Sequence, residues 1–349
     1  MKTKVFILVC LVLVTILAGF VAGSSSANAQ PTLMFARANH TDVAVYFLNR
    51  SGEYEQFTPR HDRIFKNSVQ RLELIDPEGV WAKLYPDNGL YSPWLQYDGI
   101  ENTYVRLEDF TPITNFEPIT IYTDTQNRDK QIIVIRNYYP EIIFLEGEKI
   151  IAKIPTCVGG YYGDSTTPLG DHQIDAIWVS RHMNTLPGVP FAMLYNQYFG
   201  TAVHGAPWRD WNAMDVGCYG SAGCINLPPP SKYDVYWDGE WIGFDNFAWR
   251  WAKSIFPFDP YTQEPYIVSD LADGWYEGDV SLRVVIVESI EDLWLYPTQR
   301  VVWEDRAFTG WENVIAGYYE LGANIRLPRM NEAGEVEFLD TLAHNLPIR

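Results

Sequence analysis

Apolar positions in the first third of the chain come as short β-type runs, residues 43–47 and 103–107 among them, with no sustained helical period. Between them lie turn signals, Asp-Pro-Glu-Gly at 76–79 and Pro-Asp-Asn-Gly at 86–89. This pattern predicts a small β-rich N-terminal domain over residues 30–129, a barrel-like binding module. Polar residues 124–130 read as a linker. Residues 131–136, 141–145 and 149–154 are rich in β-branched and aromatic side chains, and a Gly147-Glu148 turn joins the last two. They predict a meander of hairpins. A Thr-Thr-Pro-Leu-Gly loop follows at 166–170, then another strand over 171–179.

Helical signals are few. Three prolines at 228–230 stop any strand, and Ser231 with Asp234 three residues on fits a capping box. Phe247, Trp251 and Ile255 fall on one helical face that ends at Pro257. Residues 282–287 are an apolar strand suited to closing a sheet, and 289–349 hold further strand-like pieces without a readable motif. The expectation is a mainly β chain with one or two short helices. A central domain over 130–288 is flanked by the N-terminal domain and by a C-terminal extension over 289–349.

The N-terminus changes the picture. Lys2 and Lys4 precede an apolar run over 5–18, and Ala27-Asn28-Ala29 supplies the small residues a signal peptidase reads. Residues 1–29 are therefore expected to be a cleaved signal peptide, the run being short for a bilayer span. The mature protein is expected in the cell envelope or secreted, with no stable membrane span. At a formal net charge of −18 the chain repels polyanions, so nucleic acid is not an expected partner.

Export also changes how the cysteines read. Cys10 leaves with the signal, and Cys157, Cys218 and Cys224 remain. Three thiols cannot all pair within one chain, so at least one is free where an unused thiol is a liability. A base lies in the same segment: Val203-His204-Gly205 precedes Ser221-Ala222-Gly223-Cys224-Ile225-Asn226. An imidazole beside a thiol raises its thiolate fraction. Gly223 permits a tight turn that exposes the sulfur and leaves backbone N–H groups to face an oxyanion.

This constellation resembles the signature of the L,D-transpeptidases of the YkuD type: His, 14 to 17 residues, Ser/Thr, His, Gly, Cys, a hydrophobic residue, Asn/Arg. The match falls on His204, Ser221, Gly223, Cys224, Ile225 and Asn226. It departs at Ala222, where the family commonly carries a second histidine. The likeness reaches from residue 131 through Thr167-Pro168-Leu169-Gly170 to the strand at 282–287.

The resemblance implies a β-sandwich-like catalytic domain acting on peptidoglycan stem peptides without cofactor or metal. Cys224 would attack the donor's L,D-bond carbonyl and release D-Ala, and an amine would resolve the thioester. His204 would be general base and then acid, with its other ring nitrogen held by the carbonyl of Gly205. N–H groups at Gly223 and Cys224 would form the oxyanion hole. Ser221 and Asn226 would support the loop, and with Tyr195, Tyr198 and Trp208 they are the candidates for lining the substrate groove. Competing readings are a structural Cys224, either a buried thiol or half of a Cys218–Cys224 disulfide, and zinc held by His204, Cys218 and Cys224. A wall-binding or scaffolding protein that has lost turnover is the alternative for the chain as a whole.

Overall fold

Residues 132–135 are apolar at successive positions rather than alternate ones because the strand they lie in is covered on both faces, and the architecture follows from that. The computed structural model describes residues 32–57, 64–76, 78–84, 102–113, 130–160, 166–174, 176–183, 186–196, 198–211, 218–230, 234–237, 240–253, 282–296, 310–330 and 336–342. The signal-peptide reading falls on residues outside these. Leu33–Arg349 forms one compact unit.

The first sheet holds β1 (Thr32–Ala38), β2 (Val45–Leu48), β3 (Tyr54–Phe57), β4 (Val69–Leu74), β5 (Trp81–Leu84), β6 (Tyr104–Arg106) and β7 (Phe110–Pro112), in the order β3-β2-β6-β5-β4-β1-β7. Its own core contains Ala36, Val45, Leu72, Ala82, Val105 and Phe110.

The second sheet holds β8 (Lys130–Ile135), β9 (Glu141–Glu146) and β10 (Lys149–Pro155) as the expected meander, β8 and β10 each pairing antiparallel with β9. The third holds β11 (Cys157–Gly159), and the chain then returns to the second sheet as β12 (Gly170–Ile174). It crosses back to the third as β13 (Ala176–Met183), β14 (Leu186–Asn196), β15 (Thr201–Gly205), β16 (Cys218–Ser221) and β17 (Ile225–Leu227). The one strand expected over 171–179 is thus two strands in different sheets. Ile174 and Ile177 are both buried, so apolarity alone does not mark the switch.

A hairpin of β18 (Val235–Trp237) and β19 (Glu240–Ile242) stands where Ser231 and Asp234 suggested a helix start. Ser231 itself lies outside the described residues. The helix begins later, as α1 (Phe244–Lys253), and it buries Phe247 and Trp251 as the periodicity required. Both rings, with Phe244, meet Phe144 edge-on at centroid distances of 5.1 to 6.1 Å.

The second sheet is completed by β20 (Leu282–Val287), which runs parallel to β8 and is buried at every position. Arg283 ties β20 to β12 through a two-pronged ion pair with Asp171, 2.8 and 2.6 Å. The residues read as a C-terminal extension add α2 (Glu312–Leu321), then β21 (Asn324–Met330) on the β10 edge and β22 (Val336–Leu342) beyond it.

Two faces of one sheet therefore do different work. Ile132, Val134 and Phe144 pack against the third sheet and α1. Ile133, Ile135 and Leu145 pack against Trp311, Val314 and Leu321 on the far side. The fold is mainly β, with the second and third sheets packed face to face as a sandwich.

The first sheet docks on the third. The Arg37 guanidinium meets the fully buried Asp245 carboxylate at the start of α1 at 3.0 Å, Asn67 donates to the Pro230 carbonyl at 3.2 Å, and Ser180 donates to that of Val69.

Candidate active site

In the third sheet β11 runs between β16 and β17, parallel to the first and antiparallel to the second. The chain must pass from one side of β11 to the other between Ser221 and Ile225. Ala222, Gly223 and Cys224 make that crossing, and Gly223 does so at φ +96°, a conformation costly for any residue with a Cβ. The nucleophile candidate thus sits on a short, forced turn. It is half-buried and is the free cysteine among those described.

The other two cysteines among the described residues are joined. Cys157 and Cys218 face each other across β11 and β16 with Cα atoms 4.4 Å apart, forming a disulfide across 61 residues. Cys218 is then no thiolate for a zinc site, nor a partner for Cys224. Among the described residues no group of three His, Cys, Asp or Glu side chains is arranged to hold a metal ion.

Parallel pairing of β15 with β17 sets His204 opposite Asn226. The contacts around the imidazole fix its tautomer. A guanidinium only donates, so Arg209 Nε at 2.6 Å from Asn226 Oδ1 turns that amide's NH₂ toward His204. Asn226 Nδ2 lies 3.2 Å from Nε2, which must accept, and Nδ1 donates to the Gly205 carbonyl at 2.7 Å. Gly205 is held close from behind: a Cβ there would fall 2.4 Å from Asp245 Oδ2 and 2.6 Å from Pro190 Cγ.

The electrostatics favour neutral groups. Burial first, and the Arg209 charge as well, push the His204 imidazole down to about 4 against the opposing bond to Gly205. Burial pushes the Cys224 thiol up, opposed by the Ala202 backbone N–H, which donates to the sulfur. The resting pair is therefore thiol and neutral imidazole at neutral pH.

The remaining sequence candidates fall into two groups. Ser221 donates to the Cys224 carbonyl and so belongs to the turn. Trp208 flanks His204, ring centroids 5.7 Å apart, and Phe65 of the first sheet's side reaches Trp208 at 6.4 Å. Tyr195 is buried, and its hydroxyl donates to the Gly223 carbonyl at 2.8 Å, so it holds the turn. Tyr198 is 88% exposed after β14, stacked edge-on with Phe199 and outside this contact network. Ala222 is exposed at the turn.

Sequence reasoning missed Arg209 and the Ala202 N–H. It also assigned no role to Thr167, which accepts from the Gly159 N–H at 2.7 Å and donates to the Gly223 carbonyl at 2.9 Å. Arg209 and Ala202 had no linear signal beyond their closeness to the motif, and Thr167 none beyond its place in the Thr167-Pro168-Leu169-Gly170 loop.

Comparison with known families finds that residues 129–238 match the model of the YkuD family, the L,D-transpeptidase catalytic domain. Among solved structures the chain is similar to the L,D-transpeptidase (residues 123–326) from Xylanimonas cellulosilytica, at 18% identity and a TM-score of 0.25. That alignment covers 47% of this chain and 64% of the other, less than two thirds of its length. No curated protein matches. The stretch matched by the family model carries His204 and all of the turn bearing Cys224.

Proposed function

We propose that this chain is an exported cysteine acyltransferase acting on peptidoglycan stem peptides. The observation that carries the reading is the His204 clamp. Its tautomer is fixed with the lone pair on Nε2, in register with the turn that presents the free Cys224.

The sulfur accepts from the Ala202 N–H, two residues before His204 on β15. Residues i and i+2 of a strand share a face, so the His204 side chain stands on the same face of β15 as that of Ala202, beside the sulfur. As the sulfur attacks the carbonyl of the donor's L,D-bond, Nε2 takes the thiol proton. The oxyanion is met by the backbone N–H of Cys224, assisted by that of Gly223. An imidazolium with a depressed pKa is a strong acid and returns its proton to the departing D-Ala amine. An acceptor amine then attacks the thioester, losing its proton to Nε2, and the thiol is restored. No residue in this cycle needs a cofactor.

Ala222 in place of the family's common second histidine removes a side chain beside the nucleophile, but not the Cys224–His204 pair. Activity with altered substrate preference follows. The test is mass spectrometry of the mature protein with a tetrapeptide donor stem and an amine acceptor. Release of D-Ala with an amide product supports the reading. Stem binding without D-Ala release would favour a scaffolding role.

A further inference from the structure

We propose that Tyr195 and Thr167 are positioning residues that lock the peptide between Gly223 and Cys224, and so aim the Cys224 N–H at the oxyanion. The inference rests on Cys224 being the acyl nucleophile.

The argument begins with the glycine. Gly223 is needed for its positive φ, but the freedom that admits this conformation also makes rotation of the following peptide plane cheap. The peptide is trans, so its carbonyl and N–H point in opposite directions. A flip would replace an N–H donor at the reaction centre with a carbonyl dipole of the wrong sign. The nucleophile turn therefore needs something to forbid the flip.

The structure supplies two hydroxyls. Tyr195 reaches the Gly223 carbonyl from β14, and Thr167 reaches it from the loop before β12, at 2.8 and 2.9 Å. Together they use both lone pairs of that oxygen. Both side chains are buried, so water does not compete. Burial also raises the Tyr195 phenol, which keeps it protonated as a donor. Thr167 is itself fixed by the Gly159 N–H at the end of β11. Ser221 holds the next carbonyl, that of Cys224, so the peptide planes on both sides of the nucleophile are anchored.

Two reactions of the same sulfur separate aim from integrity. Acetylation by p-nitrophenyl acetate forms a thioester, expels p-nitrophenolate and passes through an oxyanion. Alkylation by iodoacetamide displaces iodide and passes through none. Tyr195→Phe is expected to slow acetylation about ten- to a hundredfold, less than loss of a whole oxyanion donor because Thr167 remains. Alkylation should stay within about twofold, since the thiolate is untouched. Thr167→Val should behave like Tyr195→Phe, and Thr167→Ser should restore the wild-type ratio. Equal slowing of both reactions, unchanged acetylation, or a wild type that is not acetylated at Cys224 would overturn the proposal. A wild type that is acetylated by the ester but takes no acyl group from a tetrapeptide stem would instead overturn the substrate reading alone.

Discussion

Replacing Arg209 by methionine should move the pH at which Cys224 becomes reactive toward acyl donors. The guanidinium bears on His204 in two ways. Its charge opposes the imidazolium, and its bond to Asn226 Oδ1 keeps an amide NH₂ rather than an acceptor facing Nε2. The contacts of 2.6 and 3.2 Å across one amide set the charge about 8 Å from Nε2. At an effective dielectric near 20 that repulsion is about 2 kcal/mol, which solvent around the half-buried Arg209 reduces to about 1. Freeing the amide to turn its oxygen toward a protonated ring adds to this, so the imidazole should rise by about one pH unit. Burial, the larger cause, remains. In the wild type, D-Ala release should therefore climb through a limb near pH 4 and be flat above about 5.5. At that pH about 97% of a group titrating near 4 is neutral, against roughly a tenth for an ordinary histidine. Arg209→Met should shift the limb upward to about 5 without removing activity at pH 7. A wild-type limb between 6 and 7, or no shift in the variant, would refute the reasoning.

The same depressed imidazole makes stability pH-dependent. Between about 4 and 6.5 the unfolded chain binds the proton that folded His204 refuses. The contribution is therefore complete above 6.5 and lost as pH falls through 4, by up to about 3 kcal/mol, measurable in urea melts of wild type and His204→Gln. Reducing the Cys157–Cys218 bridge should cost about 4 kcal/mol in the chain-entropy account of a 61-residue closure, read from denaturation with and without reductant. Arg37→Leu leaves the Asp245 carboxylate buried and unpaired and should destabilise by about 3–5 kcal/mol, whereas Arg37→Leu with Asp245→Leu should recover much of it.

The sequence made some of this legible because the signal was local. The meander of β8 to β10 is written as contiguous apolar runs with a glycine turn, and α1 as Phe247 and Trp251 on one face. His204 and Cys224 were legible as candidates because the motif that carries them is compressed into one segment. The sheet switch between β12 and β13 was not, since residues on both sides of it are buried alike. Helix α2 was missed because Gly317 and the β-branched Val314 and Ile315 weaken its propensity, and Val314 and Leu321 are held by packing on the second sheet. Asp234 suggested a cap because sequence alone does not show that Val235 pairs with Ile242. An aromatic near His204 reads as a groove candidate, and only the structure shows that the Tyr195 phenol meets a carbonyl 28 residues away. Arg209 gave no sign that it orders the amide that faces His204. Such roles depend on strand register, which a motif does not encode.

The most direct test of the central claim is the intact mass of the mature protein after incubation with a tetrapeptide stem. Cys224 is expected to gain the acyl tripeptide as a thioester while one D-Ala is released, and the adduct should be cleared by hydroxylamine. Cys224→Ala should show no adduct, and His204→Ala should form it roughly 10²- to 10⁴-fold more slowly. An adduct on any other residue, or D-Ala release by the Cys224→Ala protein, would contradict the account.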